Sequence, residues 1–185
     1  MSEYVIDGGE QGKNRLNVLG RAMNEYSMDT LRKAGLSAGL SVLDAGCGGG
    51  SMTYSIAQTV GQTGHVTGID YDGDIIELNR QELAASGIAN ITFRQADIYA
   101  FDEKEQYDIV FSRYLLSHLD NPAGVIAKLV DALKPGGVLV VEDIQFSGHI
   151  CYPANRAFDT YVQWYTALVS MTGGNAELGI QLPSL

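Results

Sequence analysis

The pattern of hydrophobic and polar positions divides most of the chain into short apolar runs and longer segments of helical periodicity. Apolar runs rich in β-branched residues predict buried strands, and apolar residues that recur every three or four positions predict amphipathic helices. The predicted strands cover residues 42–43, 65–70, 90–95, 107–112 and 138–141, and the predicted helices cover residues 13–34, 52–60, 72–86 and 122–133. Strands that alternate with helices in this way predict a parallel sheet with helices on both faces.

The last part of the chain, residues 145–185, departs from this alternation because it is dense in aromatic residues and shows no further strand pattern. A helix is predicted over residues 153–171, and another begins after Gly174. Four apolar residues of the first of these helices lie at helical spacing, namely Phe158, Tyr161, Tyr165 and Leu168. Two interpretations are open: this aromatic face packs on the edge of the sheet, or it forms a lid over a substrate pocket.

A glycine-rich turn separates the first strand from the helix that follows it. Glycine stands at positions 46, 48, 49 and 50. A strand, a glycine turn and a helix form the first half of a βαβ unit, and glycine lets the backbone approach a nucleotide-like ligand closely. Asp44 precedes the first glycine by two positions, so its charge bears on which ligand fits.

Net charge and cysteine content narrow the classes of protein. The chain has 185 residues, the size of one domain, and its 12 basic against 22 acidic residues give a net charge of −10. Because an acidic surface repels phosphates, this balance argues against nucleic acid as a partner. Cys47 and Cys151 do not make a disulfide framework, so the reducing cytoplasm is the expected compartment. No apolar run approaches the roughly 20 residues of a membrane-spanning helix.

Three carboxylates, Asp44, Asp70 and Asp97, follow the carboxyl ends of the first three predicted strands. Ligands of open α/β sheets bind at that edge, and Asp70 lies about 20 residues beyond Gly50, where a carboxylate accepts hydrogen bonds from ribose hydroxyls. That placement fits NAD and other adenosine ligands alike. Ser51 stands where a dinucleotide fingerprint has its third glycine, and Asp44 would oppose a pyrophosphate. The acidic pattern therefore favours a cationic adenosine cofactor.

Five motifs, in order and spacing, resemble the class I S-adenosylmethionine-dependent methyltransferases, and among them the small-molecule branch of the ubiquinone and menaquinone biosynthesis enzymes. The motifs are VLDAGCGGG (42–50), GIDYD (68–72), QADIYAF (95–101), YDIVFSRYLLSHL (107–119) and LKPGGVLVVED (133–143). The resemblance implies an α/β, Rossmann-like, doubly wound and mostly parallel sheet. It also implies methyl transfer from S-adenosylmethionine to a small-molecule acceptor, with S-adenosylhomocysteine as the product.

The resemblance further implies which residues hold this cofactor. Gly46, Cys47 and Gly48 would run beneath its methionine part, with Asp44 nearby. Asp70 would bind both ribose hydroxyls. Asp44 has a second interpretation, in which its side chain caps the turn by bonding the turn's own backbone amides.

Other implied contacts surround the adenine. Tyr71 would pack against the ring, Asp97 would accept a hydrogen bond from its amino group, and the backbone of Ile98 would meet its edge. Asp70 and Asp97 would otherwise be solvated loop acids, but their shared placement after strands argues against that.

At the methionine end the resemblance implies Ser112 and Arg113, with His118 near the mouth of the site and Tyr4 and Arg15 added from the amino-terminal segment. Arg113 has an alternative role as a structural ion-pair partner, and His118 as a histidine that caps a helix. Cys47 has the alternative of a small filler rather than a nucleophile, since no histidine and acid stand ready to activate it.

A general base is required only if the acceptor is a protonated oxygen or nitrogen that has no easy route for losing its proton. His118, Asp143 and His149 are candidates by position, because they lie near the ends of strands four and five. No metal is implied. The dense aromatic residues of the carboxyl-terminal part favour a flat or apolar acceptor. The alternative functions are an NAD-dependent oxidoreductase and a non-catalytic S-adenosylmethionine-binding module.

The pattern departs from this family in one respect, because relatives carry seven strands and this chain shows five. We expect one methyltransferase domain over 1–185, with an amino-terminal helical cap (1–36), a cofactor-binding core (37–144) and an aromatic lid region (145–185). Strand five would then form an apolar edge, which is prone to association. The expected explanations are a carboxyl-terminal truncation of a longer protein, a covering by the last helices, or a second copy in a homo-oligomer.

Overall fold

A computed structural model describes the backbone of residues 9–185 and the side chains of residues 12–185. Its five strands form one parallel sheet in the order β3-β2-β1-β4-β5. The strands are β1 Ser41–Ala45, β2 His65–Asp70, β3 Ile91–Gln95, β4 Tyr107–Arg113 and β5 Leu133–Glu142. The expected doubly wound α/β fold is confirmed.

Helices cover both faces of this sheet, and short 3-10 turns follow β4 and β5. The helices are α1 Gly9–Lys33, α2 Ser51–Val60, α3 Gly73–Ser86, α4 Pro122–Asp131, α5 Arg156–Met171 and α6 Leu178–Gln181. The 3-10 turns are Leu116–His118, Phe146–Gly148 and Leu182–Ser184. In the described part of the chain, no helix has both the length and the apolar character needed to cross a membrane.

Alternation along each strand supplies two separate cores, one on each face of the sheet. Val42 of β1 packs into the core formed with α1, α2 and α3, where Leu31 and Ile56 are fully buried. The next residue, Leu43, packs into the opposite core, with Leu129 of α4. Both faces are therefore dry, and a ligand must approach the sheet from an edge.

Side-chain caps explain where several helices begin. The Asp72 carboxylate accepts hydrogen bonds from the amides of Asp74 and Ile75, and Asn121 accepts one from Gly124. Asn155 accepts from the amides of its second and third following residues, so α5 begins at position 156 rather than at 153 as predicted. These oxygens satisfy amides that a helix start leaves without a partner.

The turn predicted at 134–137 is wrong, because these residues belong to β5. Tyr107 pairs with Leu133, but the next register pair is Ile109 with Val138, so β5 carries extra residues in a bulge. Gly136 has φ +83°, a left-handed conformation that glycine adopts without strain. β5 is an edge strand of the described sheet, as expected from the absence of a sixth strand pattern.

Candidate functional site

The glycine turn leaves the carboxyl end of β1, where the chain connections on the two sides of the sheet run in opposite directions. This is the switch point at which open α/β sheets bind ligands. The amides of Gly46 and Cys47 both donate to the carbonyl of Ile69, at 2.9 Å each, so the turn is fixed to the end of β2. The backbone of the turn is thus held in place by the sheet itself.

Positive φ angles and close neighbours explain why the turn needs glycine. Gly46, Gly48 and Gly50 have φ of +75°, +49° and +78°. A β-carbon at Gly48 would lie 2.8 Å from Cδ1 of Leu16 in α1, and one at Gly50 would lie 2.9 Å from the Phe93 ring. The side-chain directions of Gly48 and Gly50 are therefore filled by the protein.

Asp70 ends β2 beside this turn, as the sequence predicts. Its Oδ2 accepts a hydrogen bond from the Gly48 amide at 2.8 Å, and its Oδ1 accepts from the Asp72 amide at 3.0 Å. Partial burial is the largest influence on the carboxyl and raises its pKa, against these amides, which favour the charged form. Each oxygen keeps a further acceptor site, so a diol can bind without displacing the backbone.

Asp44 lies before the turn and faces α2, and its predicted place near the methionine part of the cofactor stays a prediction. Its side chain is 2% exposed, and Oδ2 accepts a hydrogen bond from the Thr53 hydroxyl of α2 at 2.6 Å. Burial raises the pKa of this carboxyl to about 6. Asp44 therefore supports the start of α2 through Thr53, close to its alternative interpretation as a cap, though its partner is a side chain rather than the turn's own amides.

The predicted adenine residues lie at the ends of β2 and β3. Asp97 is exposed, and its Oδ1 accepts from the Tyr99 amide at 2.9 Å. Tyr71 is 68% exposed and has its carbonyl held by Gln95, whereas the Ile98 side chain is buried in the α4-side core. The tyrosine ring and the Asp97 carboxylate are open to a ligand; their roles stay predictions.

The two residues predicted at the end of β4 have different environments. Ser112 is buried, and its hydroxyl has no hydrogen-bond partner within residues 12–185. Arg113 donates to the Ser27 hydroxyl and the Asn24 amide oxygen of α1, both at 2.9 Å. Ser27 in turn donates to Glu142 of β5 at 2.5 Å. Arg113 thus holds α1 to the carboxyl end of the sheet through neutral partners, a structural role but without the ion pair of its alternative interpretation. The Ser112 role stays a prediction.

His118 and Asp143, the predicted catalytic pair, lie near each other at the ends of β4 and β5. Asp143 accepts hydrogen bonds from the amides of Ser117 and Ile144, at 3.0 and 2.8 Å. Burial lowers the pKa of His118, Asp143 raises it, and Arg15 lowers it further. The imidazole is therefore biased toward its neutral form, in which one ring nitrogen can accept a proton.

Arg15, predicted as a cofactor contact, lies close enough to affect both His118 and Tyr165 of α5. Burial and then the nearby Tyr161 raise the pKa of Tyr165, and the Arg15 charge opposes them. The guanidinium forms no ion pair with any carboxylate of residues 12–185. Arg15 therefore lies near the carboxyl ends of β4 and β5, and its contact with the cofactor stays a prediction. Tyr4 lies outside the described residues.

An aromatic cluster follows β5 on the same side. Phe146 is 2% exposed and stacks on Tyr165 with ring centroids 4.1 Å apart and an interplanar angle of 9°. His149 lies 4.6 Å and Tyr161 lies 6.1 Å from the Phe146 ring. The inner aromatic residues of α5 thus pack on the segment that follows β5, and its outer ones face solvent.

Cys47 fits its alternative as a filler. It is buried, and burial together with the charges of Asp44 and Asp70 raises the pKa of its thiol. A neutral, buried thiol is a poor nucleophile. Among the described residues no group of three or more histidine, cysteine or acidic side chains could hold a metal ion.

The sequence patterns missed Lys13 and Asn79, which reach the glycine turn from α1 and α3. Lys13 donates to Asn79, and Asn79 donates to the Gly48 carbonyl. Both lie in helices whose periodicity marks them only as polar positions. A lysine that falls on the inward side of α1 was the available signal.

Comparisons with known proteins place the chain among methyltransferases. A family model described as a methyltransferase domain matches residues 36–170. The chain is 31% identical over 134 residues to demethylmenaquinone methyltransferase of Lactococcus lactis, covering 71% of this chain and 52% of that protein. It is 33% identical over 134 residues to the ubiquinone/menaquinone biosynthesis C-methyltransferase of Shewanella pealeana, covering 71% and 53%. The chain thus spans about half the length of the curated relatives it matches.

Solved structures agree with this fold. A SAM-dependent methyltransferase from Aquifex aeolicus is similar with a TM-score of 0.64 and 20% identity, over 88% of this chain and 87% of that one. Coclaurine N-methyltransferase bound to N-methylheliamine and SAH is similar with a TM-score of 0.61 and 27% identity, over 66% of this chain and 35% of that one. The first supports the fold alone, and the second is a related structure that holds a cofactor product.

Proposed function

Because the chain belongs to the methyltransferase-domain family, we propose that it binds S-adenosylmethionine and transfers the methyl group to a small-molecule acceptor. The observation that carries the proposal is the Asp70 carboxylate. It ends β2, is oriented by the amides of Gly48 and Asp72, and keeps free acceptor sites beside the glycine turn. A ribose diol needs such an acceptor at such a place.

The residues at this edge fit the cofactor. Asp70 would hold the ribose, and Tyr71 and Asp97 would hold the adenine, since both are accessible at the neighbouring strand ends. Ser112 would lie beside the methionine part, and its buried hydroxyl has no hydrogen-bond partner among residues 12–185. Asp44 would act through its negative charge beneath the turn rather than by contact, because its oxygen is bonded to Thr53.

When bound, the cofactor supplies an electrophilic methyl group on a sulfonium, which is a good leaving group. The protein's part is to align the acceptor atom with that methyl group and to exclude water. His118 is placed to accept a proton from the acceptor, since burial favours its neutral form, and Asp143 fixes the 3-10 turn that carries it. A positioned base of this kind typically contributes a hundredfold or more.

We propose that the acceptor is planar and at least partly apolar. Tyr161 and Tyr165 of α5 pack beside the buried Phe146 at the β5 side of the site, and the Tyr161 side chain is 53% exposed, so its ring is accessible to a partner. Aromatic faces favour flat partners in offset-stacked or edge-to-face geometry. The names of the two quinone-pathway relatives agree with such an acceptor. Residues 145–185 would then form the acceptor side of the domain, and residues 1–36 its cap.

We further propose that a second copy covers the edge of β5, and that the protein works in the reducing cytoplasm with both of its cysteines free. Val138 on this edge is 38% exposed. An apolar edge strand is a template for pairing with another chain. Light scattering should therefore give twice the mass of one chain, and a single-chain mass at high concentration would contradict the dimer.

The cofactor is tested by calorimetric titration of the protein with S-adenosylmethionine, S-adenosylhomocysteine and NAD. Both sulfur ligands should bind and NAD should not. Asp70→Asn should weaken S-adenosylhomocysteine by about a hundredfold, since hydrogen bonds to a charged group contribute about 1.5–3 kcal/mol. Asp29→Asn, an equal charge change at the exposed Asp29–Lys33 pair of α1, should leave binding unchanged. NAD binding without either sulfur ligand would overturn the proposal.

Transfer is tested with radioactive methyl-labelled S-adenosylmethionine and 1,4-naphthalenediol, a planar probe with acidic hydroxyls. Label should appear in the organic extract, and His118→Gln should lower the rate while leaving S-adenosylhomocysteine affinity unchanged. Binding of S-adenosylmethionine without transfer to this probe or to a panel of phenols and amines would favour a non-catalytic binding module.

A further inference from the structure

Lys13 of α1 is a buried lysine beside the glycine turn. Its side chain is 7% exposed, and its Nζ lies 2.8 Å from Oδ1 of Asn79 and 2.8 Å from a carboxylate oxygen of Glu82, both in α3. An ammonium group taken out of water costs several kcal/mol unless it is paired and hydrogen-bonded. A lysine on the surface of α1 would keep the helix soluble without that cost. We therefore expect the buried Lys13 ammonium group to orient the residues that it contacts.

Asn79 transmits the contact to the turn. It is fully buried, and while its carbonyl oxygen accepts from Lys13, its Nδ2 donates to the Gly48 carbonyl oxygen at 2.7 Å. The orientation of the amide follows from its partners, because an ammonium only donates and a backbone carbonyl only accepts. Lys13 therefore fixes which end of the amide faces Gly48.

The backbone of Gly48 also contacts Asp70, the carboxylate proposed to bind the ribose. The Gly48 amide donates to Oδ2 of Asp70 at 2.8 Å, and Cδ1 of Leu16, one helical turn after Lys13, fills the space that a Gly48 β-carbon would occupy. Gly48 has φ +49° and no side chain, so its own conformational preference is weak. Its position is set by the groups that hold its carbonyl and its amide and by the Leu16 side chain beside it.

We infer that Lys13 and Asn79 are positioning residues that orient Asp70 for the ribose hydroxyls by holding the Gly48 backbone. The inference rests on the proposed function, since it assigns to Asp70 the binding of a ribose diol. It adds two residues that touch no ligand and that lie in α1 and α3. It also gives α1 a part in cofactor recognition, because its Lys13 end is coupled to the ribose site.

This role predicts a selective effect. A shift of Gly48 moves one of the two amides that orient the Asp70 carboxylate, so hydrogen bonds to the 2′ and 3′ hydroxyls weaken while contacts to the adenine do not. The measured quantity is the ratio of the dissociation constants of 2′,3′-dideoxyadenosine and adenosine. In the wild-type protein this ratio should be at least about tenfold, because a site built for hydroxyls rejects an analogue that lacks them.

Two substitutions interrupt the relay at different links. Lys13→Met keeps the length and apolar stem and removes the ammonium group. Asn79→Asp keeps the size and the acceptor for Lys13 but replaces the donor to the Gly48 carbonyl by a repelling oxygen. Each should lower the dideoxyadenosine-to-adenosine ratio to about twofold or less. Lys33→Met, a matched lysine change at the exposed end of α1, should keep the wild-type ratio.

Calorimetry with the two nucleosides, on variants whose folding is checked by thermal unfolding, separates the outcomes. A loss of the ratio in Lys13→Met and Asn79→Asp alone supports the relay. An equal weakening of both nucleosides, or an unchanged ratio in a folded Asn79→Asp protein, overturns it and leaves a structural role. If the wild-type protein binds S-adenosylhomocysteine but binds the two nucleosides with equal affinity, the relay alone is overturned. If it binds neither S-adenosylhomocysteine nor adenosine, the proposed function is contradicted. Should Lys13→Met fail to fold, Asn79→Asp decides.

Discussion

The glycine-turn edge and the aromatic carboxyl-terminal region differ in how they are held. At the turn, elements from β1, β2, α1 and α3 converge on Gly48 and Asp70 through hydrogen bonds of 2.7–2.8 Å. The carboxyl-terminal region has a small buried cluster, made of Phe146, Val169 and Ala176. The sheet therefore fixes the glycine-turn edge directly, whereas α5 packs on this small cluster and Leu178 of α6 packs into the α4-side core.

That difference has a functional consequence. The parts of a protein with few buried apolar contacts open at a lower free energy than the core. Trp164 and Met171 of α5 are 73% and 84% exposed, while the residues around the turn are mostly buried. We expect the two regions to respond independently to substitution. Changes in the carboxyl-terminal region should alter local stability and acceptor binding, and changes at the glycine-turn edge should alter cofactor binding.

The largest effect is expected for Phe146→Ala. Removal of a buried ring costs about 3–5 kcal/mol, and here the ring is the centre of the small cluster and the partner of Tyr165. The free energy of opening of α5, measured by amide hydrogen exchange, should fall by about that amount, with S-adenosylhomocysteine affinity unchanged.

Phe93→Ala is the matched substitution on the other side. The Phe93 ring is 3% exposed and lies against Gly50 and Tyr54, so its loss should weaken S-adenosylhomocysteine as well as the fold. A Phe146→Ala protein with lowered cofactor affinity, or a Phe93→Ala protein without it, would contradict the independence of the two sides.

The next effect concerns Asp44 and pH. Burial raises the pKa of this carboxyl from 3.8 to about 6 in the folded protein. Between these values the folded state binds the proton before the unfolded state does, so this contribution to stability is present near pH 4 and is lost as the pH rises through 6. Two pKa units correspond to about 3 kcal/mol.

Asp44→Asn removes this titration and keeps an oxygen that can accept from Thr53. The difference in unfolding free energy between wild type and variant, from urea denaturation, should change by about 2 kcal/mol between pH 4 and pH 7, because the unfolded carboxyl is already partly ionised at pH 4. A constant difference over that range would mean that the carboxyl titrates at its ordinary pKa.

A smaller effect is expected for alanine at the turn. Gly48→Ala pays for a left-handed conformation, about 1 kcal/mol, and also displaces Leu16, whose Cδ1 lies 2.8 Å from the new methyl position. Gly87 also has φ +70°, but a β-carbon there would have no neighbour within 4 Å, so Gly87→Ala carries the conformational cost alone. Urea denaturation should show a loss of about 2 kcal/mol or more at Gly48 and about 1 kcal/mol at Gly87; equal losses would show that Leu16 yields freely.

Much of the fold could be predicted because its signals are local. The strand at residues 65–70 and the helix from 72 to 86 follow from β-branched runs, helical spacing and an acidic cap, and the structure has them at His65–Asp70 and Gly73–Ser86. The position of Asp70 follows from the end of its strand. The β5 bulge was missed because its proline and glycines read as a turn, while pairing with β4 across the sheet decides their conformation.

The candidate site shows where local signals end. Alternation along β1 puts Asp44 on the face of Val42, under α2, and this parity was the signal that its side chain is buried. The contact between Lys13 and Asn79 joins residues 66 positions apart, and no periodicity within either helix specifies it. Such contacts depend on how helices pack, which a single sequence does not encode in its pattern.

The smallest effect tests the exposed side of α5. Trp164 is 73% exposed, and a surface substitution away from caps and buried contacts changes stability by about 0.5 kcal/mol or less. Trp164→Gln should therefore leave both the unfolding free energy and S-adenosylhomocysteine affinity within that margin. Tyr165→Leu, one position along, removes the ring that stacks on Phe146 and should cost more than twice as much. Equal costs at the two positions would mean that the outer face of α5 is buried in solution, by a second copy or another part of the protein, and that the two sides of the domain are held more alike than their contacts indicate.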